Sequence, residues 1–78
     1  MNITEFAALL DKCGYAYTRA EAGIDVTTKR DVDLPSLTTL PENTTFSNGS
    51  YVYLPSLTTL PENTTFSNGG YVYLPSLT

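Results

Sequence analysis

The chain has 78 residues, 41% of them apolar, which is enough for one small domain and too ordered a composition for a disordered chain. It holds no histidine, no tryptophan and one cysteine, Cys13, which rules out imidazole catalysis, an internal disulfide and a clustered His/Cys metal site. Eight acids against four bases give a net charge of −4, which speaks against binding nucleic acid through its phosphates and leaves room for a basic partner or for imitation of a polyanion.

The chain opens on a helix signal. Asn2 and Glu5 have the spacing of a capping box, Ile3, Phe6, Leu9 and Leu10 form one apolar face, and Gly14 can stop the helix. This predicts a capping helix within residues 1–14, covering whatever follows it. Cys13, at its end, is expected to be a small buried or half-buried hydrophobe, because no histidine is present to activate its thiol. Met1 to Leu10 carries no basic residue ahead of its apolar stretch, unlike a secretion signal, and no run approaches the roughly 20 apolar residues of a membrane span. The expected compartment is therefore cytoplasmic.

From residue 34 onward the chain repeats itself every 20 residues. Leu34 to Gly49, LPSLTTLPENTTFSNG, recurs unchanged as Leu54 to Gly69, and Tyr51 to Thr58, YVYLPSLT, recurs as Tyr71 to Thr78. Ser50 against Gly70 is the single difference among aligned positions from residue 34. A unit this short cannot bury its own apolar face, so the copies are expected to stack, each residue about 4.8 Å from its equivalent. Tyr51-Val52-Tyr53-Leu54 alternates in the manner of a strand, Pro55 ends it, and Asn68-Gly69-Gly70 supplies a turn that tolerates positive φ. The inward set is then Val52, Leu54, Leu57, Leu60 and Phe66, preceded by Val32, Leu34, Leu37, Leu40 and Phe46.

A fainter copy precedes these. Ile24 and Val26 fall where Thr44 and Phe46 do, Ala20 where Leu40 does and Tyr17 where Leu37 does, so residues 15–33 are expected to be a degenerate first coil. Lys29-Arg30 is a basic pair placed in a solvent-facing turn. The expected organisation is one domain, 1–78, with a helix at 1–14, the degenerate coil at 15–33 and the repeats at 34–78, the last incomplete.

The stretch VYLPSLTTLPENTTFSNGGYVYLPSLT, and the repeats from about residue 31 onward, resemble the short leucine-rich repeats of bacterial and phage-encoded proteins. Those combine a short LxL strand, an LxxLP segment and a glycine-containing return. The chain departs from them where an asparagine usually follows the strand, Pro55-Ser56 standing there instead. The resemblance implies an α+β fold, a short leucine-rich-repeat-like β-solenoid of parallel strands headed by the helix. It also implies protein recognition by the strand-bearing face, with no catalytic residue, metal or cofactor to carry over.

Alternation puts Tyr51, Tyr53, Tyr71 and Tyr73 on the outer surface opposite Val52 and Val72, with Asp31 and Asp33 in the equivalent places one coil earlier. Tyrosine supplies rigid contact area and a hydroxyl, so these six residues are the candidate partner-binding strip; the plainer reading is that the tyrosines stabilise the sheet by pairing across strands. An acidic alternative gathers Glu21, Asp25, Glu42 and Glu62 as a face that could imitate DNA phosphates. The four N-x-[ST] matches, at Asn2, Asn43, Asn48 and Asn63, are expected to be structural, with Asn and Thr bonding down the ladder.

These features predict a non-catalytic protein-binding module without cofactors, direct nucleic-acid contact or membrane association. By analogy with small duplicated chains of mobile elements, the leading role is a phage-type inhibitor of a host protein in a bacterial cytoplasm. Two other readings are an anti-CRISPR-like acidic DNA mimic and a structural spacer. The strand Tyr71 to Leu74 also predicts an open edge, at which the chain could form a homodimer.

Overall fold

The computed structural model describes residues 2–77; Met1 and Thr78, the ends of the domain assigned from sequence, lie outside the described residues. The chain is an α+β protein with one N-terminal helix, α1 (Ile3–Cys13), followed by β1 (Tyr17–Arg19), β2 (Ile24–Val26), β3 (Val32–Asp33), β4 (Thr44–Phe46), β5 (Val52–Tyr53), β6 (Thr65–Phe66) and β7 (Val72–Tyr73).

The helix begins as its sequence requires. The Asn2 side chain accepts the Glu5 amide at 2.8 Å, and the Glu5 carboxylate accepts the Asn2 amide at 3.2 Å. It ends at Gly14, whose φ of 76° is the left-handed conformation that glycine adopts without steric cost. Phe6, Ala7 and Leu10 enter the main core, and Leu9 packs against it. Cys13, expected to be buried or half-buried, is exposed: it shares the helix face of Phe6 and Leu10 but lies in the last turn, beside an open groove lined by Leu9, Leu34 and Leu37.

The strands form two sheets, one mixed in the order β1-β2-β4-β6 and one parallel in the order β3-β5-β7, and among the described residues neither closes into a barrel. Every parallel pair is offset by twenty positions: Ile24 faces Thr44, Val26 faces Phe46, Phe46 faces Phe66, Val32 faces Val52 and Val52 faces Val72. Each copy thus contributes two short strands, one to each sheet. The strand at Val52–Tyr53 sits where the alternation puts it. The strand at Thr44–Phe46 was not expected, since three residues are too few to display a period.

The turn before that second strand is built by its polar residues. Asn43 and Asn63 adopt φ of 60° and 61°, a conformation that asparagine tolerates better than most residues. The Thr44 and Thr64 hydroxyls close the turn on the Pro41 and Pro61 carbonyls at 2.7 and 2.8 Å. Asn43 Nδ2 also donates to the Ala22 carbonyl at 2.9 Å, tying one copy to the segment before it. Positive φ was expected instead at Asn68-Gly69-Gly70; among the described residues the only glycine with positive φ is Gly14.

The core is a single cluster in which Val26, Val32, Phe46, Val52, Leu54 and Leu57 are completely buried, beside Ile24, Leu34, Leu37 and Leu40. The rings of Phe46 and Phe66 stack at 5.3 Å, nearly parallel. Burial fades along the repeats. Leu40 is 4% exposed but Leu60, expected inward, is 40% exposed, because Leu40 lies one repeat further from the end of the stack. Phe66, Val72 and Leu74 are likewise only partly buried.

Residues 15–23 depart from the degenerate coil expected there. Tyr17 to Arg19 turn back as an antiparallel partner of β2, Tyr17 facing Val26 and Arg19 facing Ile24. The turn between them closes through the Ala20 amide on the Gly23 carbonyl at 2.9 Å. Tyr17 therefore does not take the place of Leu37, and Ala20 is exposed where Leu40 is buried. From Ile24 onward the twenty-residue register holds. The hairpin also anchors the helix: Arg19 Nη2 donates to Thr4 Oγ1 at 2.9 Å, and the Tyr17 hydroxyl donates to Asp11 Oδ2 at 3.0 Å. That carboxylate holds the Tyr17 hydroxyl proton and raises its pKa above the ordinary value.

Candidate partner-binding surface

Val52 is fully buried in β5, so its neighbours on the strand turn away from the core. Parallel pairing then brings the outward tyrosines of successive copies together. Tyr51 and Tyr71 stack with centroids 5.1 Å apart and planes 13° from parallel. Tyr53 and Tyr73 meet edge to face at 6.2 Å, and Tyr51 meets Tyr53 edge to face at 5.9 Å. Such contacts rigidify the rings, each pair contributing about 0.5–1.5 kcal/mol beyond its buried area. The rings remain open to solvent: Tyr71 is 76% and Tyr73 54% exposed, and Tyr51 is just exposed at 38%.

Asp31 and Asp33 continue the two columns at their head, Asp33 lying directly opposite Tyr53 in the ladder. Asp31 Oδ1 accepts the Tyr51 amide at 3.1 Å and also the Ser50 hydroxyl. Those two donors, the Ser50 hydroxyl first, hold the Asp31 carboxyl below its ordinary pKa. The Tyr53 hydroxyl is pushed up, chiefly by desolvation and then by the negative charge of Asp31, of the Tyr51 phenolate and of Asp33.

Three residues outside the predicted strip shape it. The Tyr15 hydroxyl accepts the Asp33 amide at 3.0 Å and donates to the Asp33 carbonyl at 3.3 Å, so a side chain satisfies the outer edge of β3. Arg30, exposed as expected, also lies over the Tyr15 ring at 5.0 Å and donates to the Gly14 carbonyl at 2.9 Å, at the negative end of the helix. The third is Gly70. A Cβ there would run into the Tyr51 ring. The aligned Ser50 instead meets Asp31 and bonds to it. The one difference between aligned copies thus matches a difference in the neighbouring column: serine beside the aspartate, glycine beside the tyrosine. We expect Gly70→Ala to swing the Tyr51 ring off Tyr71. Near-ultraviolet dichroism of the tyrosines should change, with a stability loss of only about 0.5–1.5 kcal/mol in urea melts; an unchanged tyrosine signal would show that the stack does not need the glycine.

Of the alternative acids, Glu42 and Glu62 hold the same place in successive copies, whose turns are joined by the Asn43 amide donating to the Glu62 carbonyl at 3.4 Å. Glu21 lies in the turn between β1 and β2, Asp25 on β2 of the four-stranded sheet, and Glu42 and Glu62 in the turns before β4 and β6. Asp25 faces Thr18 and Thr45 in the sheet, and its Oδ1 is buried without a hydrogen-bond partner among the described residues. The expected bonding of Asn and Thr down the ladder is present in Asn43 and Asn48, and Thr44 is buried. A shallow groove lined by Leu9, Cys13, Leu34 and Leu37 runs beside the C-terminal turn of α1. Among the described residues no group of three or more His, Cys, Asp or Glu is placed to hold a metal ion, and no helix is long and apolar enough to cross a membrane. No family model, no curated protein and no solved structure matches the chain.

Proposed function

We propose that the chain is a short leucine-rich-repeat-like solenoid whose tyrosine strip binds a protein partner without catalysis, in the manner of a phage-type inhibitor that occupies a host surface. The observation that carries this reading is the mutually braced array of exposed Tyr51, Tyr71 and Tyr73 and half-buried Tyr53 beside Asp31 and Asp33. Pre-ordered aromatic side chains lose little entropy on binding and contribute large contact area, which is why they concentrate at interfaces. The twenty-residue offset of every parallel pair supports the solenoid. The acidic-mimic reading has less support, because Asp25 turns its Oδ1 into the protein, where it is buried rather than presented to solvent.

The test is capture from bacterial lysate with the chain and with its Tyr51/Tyr53/Tyr71/Tyr73→Ser variant, read by mass spectrometry. A partner held by the parent should be lost by the variant while far-ultraviolet dichroism is retained. If the variant keeps its partner and an Asp25/Glu42/Glu62→Asn/Gln/Gln variant loses it, the acidic reading replaces this one.

A further inference from the structure

The charge of the molecule is divided along the chain. All four bases, Lys12, Arg19, Lys29 and Arg30, precede residue 31 and are balanced there by Glu5, Asp11, Glu21 and Asp25, so the net −4 resides in residues 31–78, with Asp31, Asp33, Glu42 and Glu62. The strip thus presents carboxylates and ring faces, and the base nearest its head, Arg30, is engaged with the Tyr15 ring and the Gly14 carbonyl. Neither Asp31 nor Asp33 pairs with a base among the described residues; Asp31 takes only neutral donors. The fold also contains an internal example of what its tyrosines accept, since Arg30 lies over the Tyr15 ring beside Asp33.

Resting on the reading of the strip as the binding surface, we propose that its occupant is an extended, arginine-bearing segment of the partner, laid along the two columns. Guanidinium groups cover the faces of Tyr71 and Tyr73, where exposure is greatest, and pair with Asp31 and Asp33 at the head. The dimensions suit such a ligand. Two repeat steps separate the acid level from the last tyrosines, about 9.6 Å at the usual strand spacing, and an extended chain covers that with about three residues. A guanidinium is preferred to an ammonium because it is planar, weakly hydrated and able to stack while it donates to a carboxylate.

Arginine, lysine and glutamate nonapeptides, acetylated and amidated, test this directly with the full chain. Tyrosine emission reports binding, since the chain holds six tyrosines and no tryptophan. The arginine peptide should bind and quench it, the lysine peptide should bind several-fold more weakly, and the glutamate peptide should not bind. Asp33→Asn should weaken the arginine peptide about tenfold, and Glu42→Gln/Glu62→Gln less than about twofold. Asp33 makes no side-chain hydrogen bond among the described residues, so its substitution removes charge while leaving the fold intact. Equal losses from the two sets would overturn the proposal in favour of diffuse attraction, and equal binding of arginine and lysine peptides would overturn the stacking contact. Absence of arginine binding, in a chain whose lysate partner is still lost by the tyrosine variant, would overturn only the partner's chemistry. Undiminished arginine binding by the tyrosine variant would overturn the strip itself.

Discussion

Leu54→Ala should cost about 2–5 kcal/mol, against roughly 4–12 kcal/mol of total stability for a domain of this size, and Leu74→Ala markedly less. The two leucines share their local sequence, YVYLPSLT, and hence the same intrinsic propensities. They differ in cover. Leu54 is completely buried, with β5 held between β3 and β7, whereas Leu74 follows a strand paired on one side and is partly buried. Truncation at 54 removes the transfer energy of the isobutyl group and leaves a cavity that Val32, Leu34 and Leu57 cannot collapse to fill. At 74 solvent already reaches the side chain, so the cavity cost is small. Urea melts of the two variants, followed by far-ultraviolet dichroism, measure the difference. Equal midpoints would mean that burial does not fade along the stack, and the assigned core would be wrong.

This same pair shows what was legible beforehand. Val32, Leu34, Leu37, Leu40, Phe46, Val52, Leu54 and Leu57 were readable as core because exact repetition fixes their register, and all eight are buried. Leu60 has an identical neighbourhood in sequence to Leu40, so nothing local could distinguish them; only their positions in the stack do. The helix was readable because a capping box and its apolar face are both local signals. The return of Tyr17–Arg19 was hidden because the faint alignment with Leu37 and Leu40 pointed to a coil, and hairpin pairing overrode it. Of the strip, the outward tyrosines followed from alternation. The locks at Tyr15 and Arg30 join residues 16 to 18 positions apart without any repeat to announce them. The Ser50/Gly70 difference was visible in sequence, but its meaning required knowing that position 70 touches the Tyr51 ring.

The second large effect should come from a polar residue. Asn48 is completely buried, and its Nδ2 donates to the carbonyls of Arg30 at 3.2 Å, Ser50 at 3.2 Å and Tyr51 at 3.1 Å. One amide thereby ties the end of one copy to the strand entry of the next and to the segment a repeat earlier. Asn68 repeats the arrangement with Ser50, Gly70 and Tyr71, but it is only partly buried. Asn48→Asp keeps the shape and replaces the donor by a carboxylate facing three carbonyl oxygens. Desolvation and repulsion both disfavour that charge, so the cost at neutral pH should be about 3 kcal/mol or more, exceeding the roughly 1–3 kcal/mol of Asn48→Ala. Because the folded state resists ionisation, the introduced carboxyl has a folded pKa above its unfolded value. The variant is then least impaired below the unfolded pKa, and the impairment grows as pH rises through the folded one. Melts from pH 4 to pH 7 should therefore show Asn48→Asp losing stability relative to the parent as pH increases, with a weaker trend for Asn68→Asp, where water reaches the group. A pH-independent difference, or equal costs at the two positions, would show that the amide of Asn48 is not the tie between successive copies.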